Sequence, residues 1–333
     1  SSLGLVGSEM CIRDSSHVPF RSTLLIGVVM KNVFFKGHGL GNDYIALNPK
    51  DLDFKLTPKN IRAICDRHWG VGSDGILALM PSRKADFGLR IYNPDGSEAE
   101  KSGNGLRIFG CYLYTTQKTK KRSFSVETKG GLVHVDLELS RGKQVVGATV
   151  DMGRASFKAS ALPCTIRAPE LILQPIKVMA QSLRFTGVSI GNPHCVIFKP
   201  KGEIWSHEDL LRMGPELENH PTFPRRTNVQ LAVPTGPQTV SILIWERGAG
   251  ETQASGSSAC AVASAAVRLG LVKSPVRVMA PGGTLDITVD FQYSLKMKGP
   301  VAEVYRGQLK PAFLCSAPSV SYTHLTLPTN REV

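Results

Sequence analysis

The chain has 333 residues, 42% hydrophobic and 20% charged, a composition ordinary for a soluble globular protein with room for two domains. Forty basic against 27 acidic residues leave a formal charge of +13, yet the dense basic run from Lys118 to Arg122 has no interleaved aromatics. It reads as a solvated loop and not as a nucleic-acid patch, while a general positive field suits an anionic small molecule. Seven cysteines without CxxC pairs or metal-ligand spacing exclude a disulfide framework, imply no metal site, and point to reduced thiols in the cytoplasm. No apolar run approaches a membrane span.

Ser2 to Ser15 and Val320 to Val333 have no periodicity that continues inward, and both resemble translated sequencing adapters. Residues 1–29 and 315–333 are therefore expected to be artefactual or disordered tails, with Met30 as a plausible start. From there Asn32 to Lys36 reads as a strand. Gly37-His-Gly-Leu-Gly-Asn-Asp43 follows as a tight turn presenting Asn42 and Asp43, and Tyr44 to Leu47 as a second strand. The glycines lack GxGxxG spacing and lead into a strand, so a dinucleotide site is not indicated. Thr57-Pro58 starts a helix over 58–67. Strands at 76–80 and 87–92 lead to Asn93-Pro-Asp-Gly-Ser-Glu-Ala-Glu-Lys-Ser-Gly-Asn-Gly-Leu-Arg107, a polar turn, then Ser-Gly, then an amphipathic helix over 104–116. Strands at 123–127, 132–138 and 145–151 end the first half, and Asp151 to Arg154 reads as the crossover.

The second half repeats the plan. Strands near 164–167 and 174–180 precede two apolar runs split by Gly191-Asn-Pro-His194. Ser206 caps a short helix over 207–213, and strands begin at Arg226 and Thr239. Glu246-Arg-Gly-Ala-Gly-Glu-Thr-Gln-Ala-Ser-Gly-Ser-Ser-Ala-Cys260 then echoes the first motif and opens a small-residue helix over 257–269. In each copy a Glu stands four residues before the Ser: Glu98 before Ser102, Glu251 before Ser255. Strands at 276–280, 284–289 and 301–306 finish the body. Two helix starts with small residues can turn free backbone N–H groups to one anion. The element order predicts an α+β fold of two pseudo-symmetric domains, each a mostly antiparallel sheet curled round a central helix.

His38-Gly-Leu-Gly-Asn-Asp43, Arg90-Ile-Tyr-Asn-Pro-Asp-Gly-Ser-Glu98, Ser102-Gly-Asn-Gly105, Gly191-Asn-Pro-His-Cys195, Glu246-Arg-Gly-Ala-Gly-Glu251 and Pro281-Gly-Gly283 occur in that order. Together they resemble the diaminopimelate epimerase family over about Met30 to Gly307. The resemblance implies a cofactor-free cytoplasmic isomerase of lysine and peptidoglycan synthesis, a homodimer acting on a diamino dicarboxylate. It implies one domain over 30–151 plus 302–314 and another over 152–301, with the site in the cleft between them. By the same resemblance the catalytic positions are Ser102, Ser255, His194 and Glu246. The substrate contacts are Asn42, Asn93, Gly103, Asn104, Asn192, Asn228, Glu246, Arg247, Gly256 and Ser257, with Arg247 able to clamp a remote carboxylate.

The family uses two facing cysteines, one as thiolate base and one as thiol acid. Here both positions are serine. A helix N-terminus offers only about 0.3–2 kcal/mol, against about 1.4 kcal/mol for each pKa unit, so a hydroxyl does not become as accessible a base as a thiol. The family mechanism therefore does not transfer unchanged. Cys195 beside His194 diverges from it on a strand, and Cys111 and Cys260 lie too deep in their helices; all three read as packing residues. Three readings follow: epimerisation of LL- and meso-diaminopimelate through serine relays driven by His194 and Glu246, a related isomerase with another substrate, or a catalytically silent amino-acid-binding protein.

Overall fold

The structure is a computed structural model and describes residues 30–316. The tails expected at 1–29 and 315–333 lie outside the described residues, save for 315 and 316.

The first half opens with a hairpin of β1 (Val33–Gly39) and β2 (Asn42–Leu47), closed by Leu40 and Gly41, both at positive φ. That is a two-residue turn whose twist matches the strands. The glycine-rich segment expected to be all turn is thus mostly strand. Helix α1 (Pro58–Cys65) has the expected Thr57 cap, and buries Ile61 and Ile64. β3 (Ile76–Met80), β4 (Phe87–Tyr92) and the two-residue β5 (Glu98–Ala99) lead to α2 (Gly103–Thr115). β6 (Ser123–Thr128), β7 (Gly131–Leu139) and β8 (Val145–Arg154) follow.

The second half has β9 (Gln174–Val178), β10 (Gln181–Ser189), β11 (Pro193–Phe198), α3 (His207–Glu218), β12 (Asn228–Gly236), β13 (Thr239–Glu246) and the short β14 (Gly250–Thr252). Then come α4 (Gly256–Arg268), β15 (Val276–Ala280), β16 (Gly283–Val289), β17 (Ser294–Pro300) and β18 (Ala302–Gln308).

Strand pairing forms one ribbon. It runs β18–β1–β2–β3–β4–β6–β7–β8 and continues through β17–β16–β15–β13–β12–β11–β10–β9. Pairs are antiparallel except β2–β3, β4–β6, β11–β12 and β13–β15, which fall at equivalent places in the two halves. Val301 N–H bonds Val146 O, which curls the first run onto itself, and Ser156 exchanges backbone bonds with Ser189, which curls the second. Each curl encloses one helix. α2 is buried from Gly103 to Leu113, and α4 is buried at nearly every position to Ala266. The Ala, Ser and Val composition of α4 allows the sheet to approach on all sides.

Four sequence expectations need correction. No strand forms at 164–167: Pro163 and Pro169 bracket the segment, and Thr165 N–H makes a single bond to Thr222 O. Helix α3 runs to Glu218, through Pro215, because Met213, Leu217 and Glu218 are buried. β17, absent from the sequence reading, pairs with β8 and carries the ribbon from one half to the other. The strand expected to end at Asp151 runs on to Arg154, and beyond Val150 its residues pair with β17 and not with β7.

Candidate active site

Helices α2 and α4 meet at their N-termini. A methyl built on Gly256 would stand 3.7 Å from the Gly103 Cα, and 2.8 Å from Sδ of Met297 on β17. A methyl on Gly103 would stand 2.5 Å from the Met297 Cε. No residue but glycine lets the two helix ends come so close over one buried methionine. Their N-caps are Ser102, whose Oγ accepts Gly105 N–H at 3.0 Å, and Ser255, whose Oγ accepts Ser258 N–H at 3.5 Å. Replacing such a cap costs about 1 kcal/mol. Beyond the caps, the first N–H groups of each helix (Gly103 and Asn104, Gly256 and Ser257) have no intrahelical acceptor by the geometry of a helix start. Ser257 Oγ is 3.5 Å from Ser255 Oγ.

The halves bring different groups to the two serines. Tyr44 on β2 places its hydroxyl 3.4 Å from Ser102 Oγ. Burial pushes its phenol up to about 12, the Ser102 contact opposes this, and Asp74, Glu246 and Asp43 add to it, so Tyr44 holds its proton at neutral pH. Glu246, the last residue of β13, lies against the Ser255 and Thr252 hydroxyls. Burial pushes its carboxyl up, and those hydroxyls offset part of the rise. Tyr44 feels the charge of Glu246, so the two groups share one electrostatic environment across the halves.

His194 on β11 is fully buried. Gln230 Nε2 donates to its Nδ1 at 3.1 Å and its Nε2 donates to Asn192 Oδ1 at 3.0 Å, which sets a neutral tautomer. Burial pushes it down to about 3, against the Gln230 bond and with help from Arg247. Gln230 also donates to Ser258 Oγ at 3.0 Å. No hydrogen bond among the described residues joins His194 to Ser102 or Ser255; its link to α4 runs through Gln230 and Ser258. Cys195 turns to the opposite side of β11, into the cluster with Leu210, Met213 and Leu217, while Val196 packs with the α4 residues.

The asparagines divide. Asn42 and Asn104 meet: Asn104 Nδ2 donates to Asn42 Oδ1 at 3.2 Å. Asn228, buried, donates to Pro193 O at 2.8 Å and accepts Arg247 N–H at 3.0 Å, tying the Glu246–Arg247 turn to β11. Asn192 is engaged by His194. Asn93 bonds Ser97 through both side chain and backbone, and no hydrogen bond connects it to the helix ends. The Arg247 side chain is exposed, with one long bond to Arg225 O at 3.4 Å. Cys111 and Cys260 are buried, with thiols pushed up to about 12 by burial.

Several neighbours escaped the sequence reading. Tyr44 shares a strand face with Asn42, two residues away, which is a usable signal. Arg107 is a lone charge in an otherwise apolar helical stretch. Glu218 is buried and accepts from Trp245 Nε1 at 2.8 Å, Gly248 N at 2.8 Å and Arg226 Nη1 at 3.1 Å, so it anchors the turn that carries Glu246 and Arg247. Nothing local marks it, because Trp245 and Gly248 lie 27 and 30 residues along the chain.

Two helices wrapped in one curled ribbon is an architecture also found in a probable proline racemase from Agrobacterium radiobacter. The two match with a TM-score of 0.61 at 12% identity, over 84% of this chain and 92% of that one. The fold is thus one that a probable racemase also has. More specifically, the pattern of the diaminopimelate epimerase family matches residues 34–158 and 186–304. Diaminopimelate epimerase 2 from Nostoc sp. is 45% identical over 277 residues, 83% of this chain and 95% of the relative. Diaminopimelate epimerase from Desulfitobacterium hafniense is 40% identical over 280 residues, 82% of this chain and 96% of the relative. The chain belongs to the diaminopimelate epimerase family, and so to the isomerases of the epimerase and racemase class.

Proposed function

We propose that the protein interconverts LL- and meso-diaminopimelate by removing the α-proton from one face of the α-carbon and delivering a proton to the other, as a step of lysine and peptidoglycan synthesis. The observation that carries this is the meeting of two capped helix N-termini with Glu246 beside one cap and Tyr44 beside the other. In this reading the α-carboxylate sits on the free N–H groups of Gly103, Asn104, Gly256 and Ser257, where both macrodipoles favour negative charge. The α-carbon then lies between Ser102 and Ser255. Ser255 takes the α-proton as Glu246 takes the hydroxyl proton of Ser255, leaving a carbanion. Ser102 gives its proton to the opposite face and is reprotonated by the Tyr44 phenol. The reverse direction runs the same transfers backward. A carboxylate raised by burial is a stronger base than an ordinary one, which favours this use of Glu246.

His194 acts as a positioning residue through Gln230 and Ser258, and Asn228 and Glu218 place Arg247 for the distal carboxylate. The cleft lies between the half over 30–151 with 302–314 and the half over 152–301. The working form is a cytoplasmic homodimer that needs no cofactor. Serine in both cap positions makes turnover slow, and the same ligand shell would serve a silent binding protein. Incubation with LL-diaminopimelate in D2O, following α-proton washout and stereoisomer ratio, separates the two. Washout with appearance of the meso form is expected; measurable binding with no exchange above buffer would favour the binding protein.

A further inference from the structure

Beneath the two helix ends lies a charge with no counter-ion among the described residues. Arg107, in the second turn of α2, is fully buried, and no ion pair joins it to a carboxylate among the described residues. Burying an unpaired guanidinium is costly, so its hydrogen bonds indicate what it is kept for. Nε donates to Pro300 O at 3.1 Å, Nη1 approaches Met297 Sδ at 3.8 Å, and Nη2 donates to Asn104 Oδ1 at 2.8 Å. A methyl on Gly39 would stand 2.7 Å from Nη2, so the surrounding sheet is built to admit the fork. Burial pushes the group down to about 10, which leaves it a cation at neutral pH.

The bond to Asn104 begins a directed chain. Arg107 donates to Asn104 Oδ1; Asn104 Nδ2 donates to Asn42 Oδ1 at 3.2 Å; Asn42 Nδ2 donates to Asp74 Oδ2 at 2.8 Å. A guanidinium only donates and a carboxylate only accepts. Each amide between them could be turned over in isolation, but turning either would set N–H against N–H or oxygen against oxygen. The charges at the two ends therefore fix the direction of both amides. Asp74 is itself held by Arg67 Nη2 at 2.6 Å and by Asp43 N–H at 3.1 Å, so the accepting end is anchored.

We propose that Arg107 is a positioning residue whose buried charge locks the Asn104 and Asn42 amides in one orientation, leaving the second N–H of each for an anionic group of the substrate. The substrate half of this rests on the reading above, in which both asparagines contact the ligand; the orientation of the amides does not. The cation thus adds directed donors to those of the helix ends without touching the reacting atoms.

The test uses the full chain with Arg107→Gln and Arg107→Lys. Gln can donate or accept and carries no charge, whereas Lys keeps a charged donor without an acceptor. Side-chain amide NMR would follow the Nδ2 protons of Asn42 and Asn104, alongside the Kd for LL-diaminopimelate. In the parent protein and in Arg107→Lys each amide is expected to show one slowly exchanging Nδ2 proton. In Arg107→Gln that protection is lost at both asparagines, and Kd rises about ten- to a hundred-fold, the range for a lost charge-assisted contact. The two variants behaving alike, with protection kept in both or lost in both, would overturn the proposal; should Arg107→Gln fail to fold, Arg107→Met takes its place against the same Lys variant. A parent protein that does not bind diaminopimelate removes the substrate reading, and the amide signals still decide the lock.

Discussion

Gly256→Ala is the sharpest probe of the contact between the two helix ends. The added methyl would stand 2.8 Å from Sδ and 3.2 Å from Cε of Met297, and 3.7 Å from Gly103 Cα. Met297 is fully buried on the strand that joins the halves, and its sulfur lies against Arg107, so it has little room to move aside. Overpacking of this kind costs about 1–3 kcal/mol, or about 2–4 °C of Tm for each kcal/mol in a protein of this size. The strain is relieved by parting α2 and α4, so affinity for LL-diaminopimelate falls with stability. Met297→Ala alone should cost about 2–5 kcal/mol through its cavity. In the double variant the new methyl meets open space, and the two losses should fall short of their sum by more than about 0.5 kcal/mol. Thermal denaturation and calorimetric titration of the four proteins complete the cycle. An unchanged Tm and Kd for Gly256→Ala, or strict additivity in the double variant, would refute the claim that these ends are in functional contact.

Further outcomes follow from the same geometry. Restoring both thiols, Ser102→Cys with Ser255→Cys, should raise α-proton exchange strongly, since a thiol ionises far more readily than a hydroxyl; an unchanged rate in a folded, ligand-binding variant counts against the placement of the pair. His194 is pushed down from its ordinary 6.5 to about 3, so the unfolded chain binds a proton there that the folded chain refuses. Its contribution is whole above pH 6.5 and is lost as pH falls towards 3, at up to about 1.4 kcal/mol per pH unit; His194→Gln should flatten that acid limb in urea titrations. Glu246 has the opposite sign. Its folded carboxyl is raised, so stability falls as pH climbs from the ordinary Glu range through the raised value, and Glu246→Gln should remove that fall together with any exchange activity. Glu218→Ala strips acceptors from Trp245, Gly248 and Arg226. It should destabilise by about 1.5–3 kcal/mol and weaken substrate binding through Arg247, which thermal melts and Kd measurements would show.

Much of the scaffold was readable because its signals are local. Ser102-Gly103 and Ser255-Gly256 announce capped helix starts, and alternation marks β13. β17 was readable too: Leu295, Met297 and Gly299 are buried and alternate with exposed Lys296 and Lys298, but the Gly-Pro at its end disguised it. Helix α3 was cut short because Gly214-Pro215 reads as a stop. The helix continues because Leu217 fills the second core cluster and Glu218 is hydrogen-bonded across 27 and more residues of chain. The site divided the same way. Resemblance points to Ser102, Ser255 and Glu246, whereas Tyr44 beside Ser102, and Arg107 against Pro300 O, arise from contacts 58 and 193 residues apart that only the fold makes. The Asn93 side chain bonds Ser97 within its own turn.

The most direct measurement is a crystal structure of the protein with LL-diaminopimelate bound. The α-carboxylate should rest on the backbone N–H groups of Gly103, Asn104, Gly256 and Ser257, with the α-carbon between the Ser102 and Ser255 hydroxyls and the distal carboxylate on Arg247. A ligand bound elsewhere, or one whose α-carboxylate avoids the helix ends, would contradict the account.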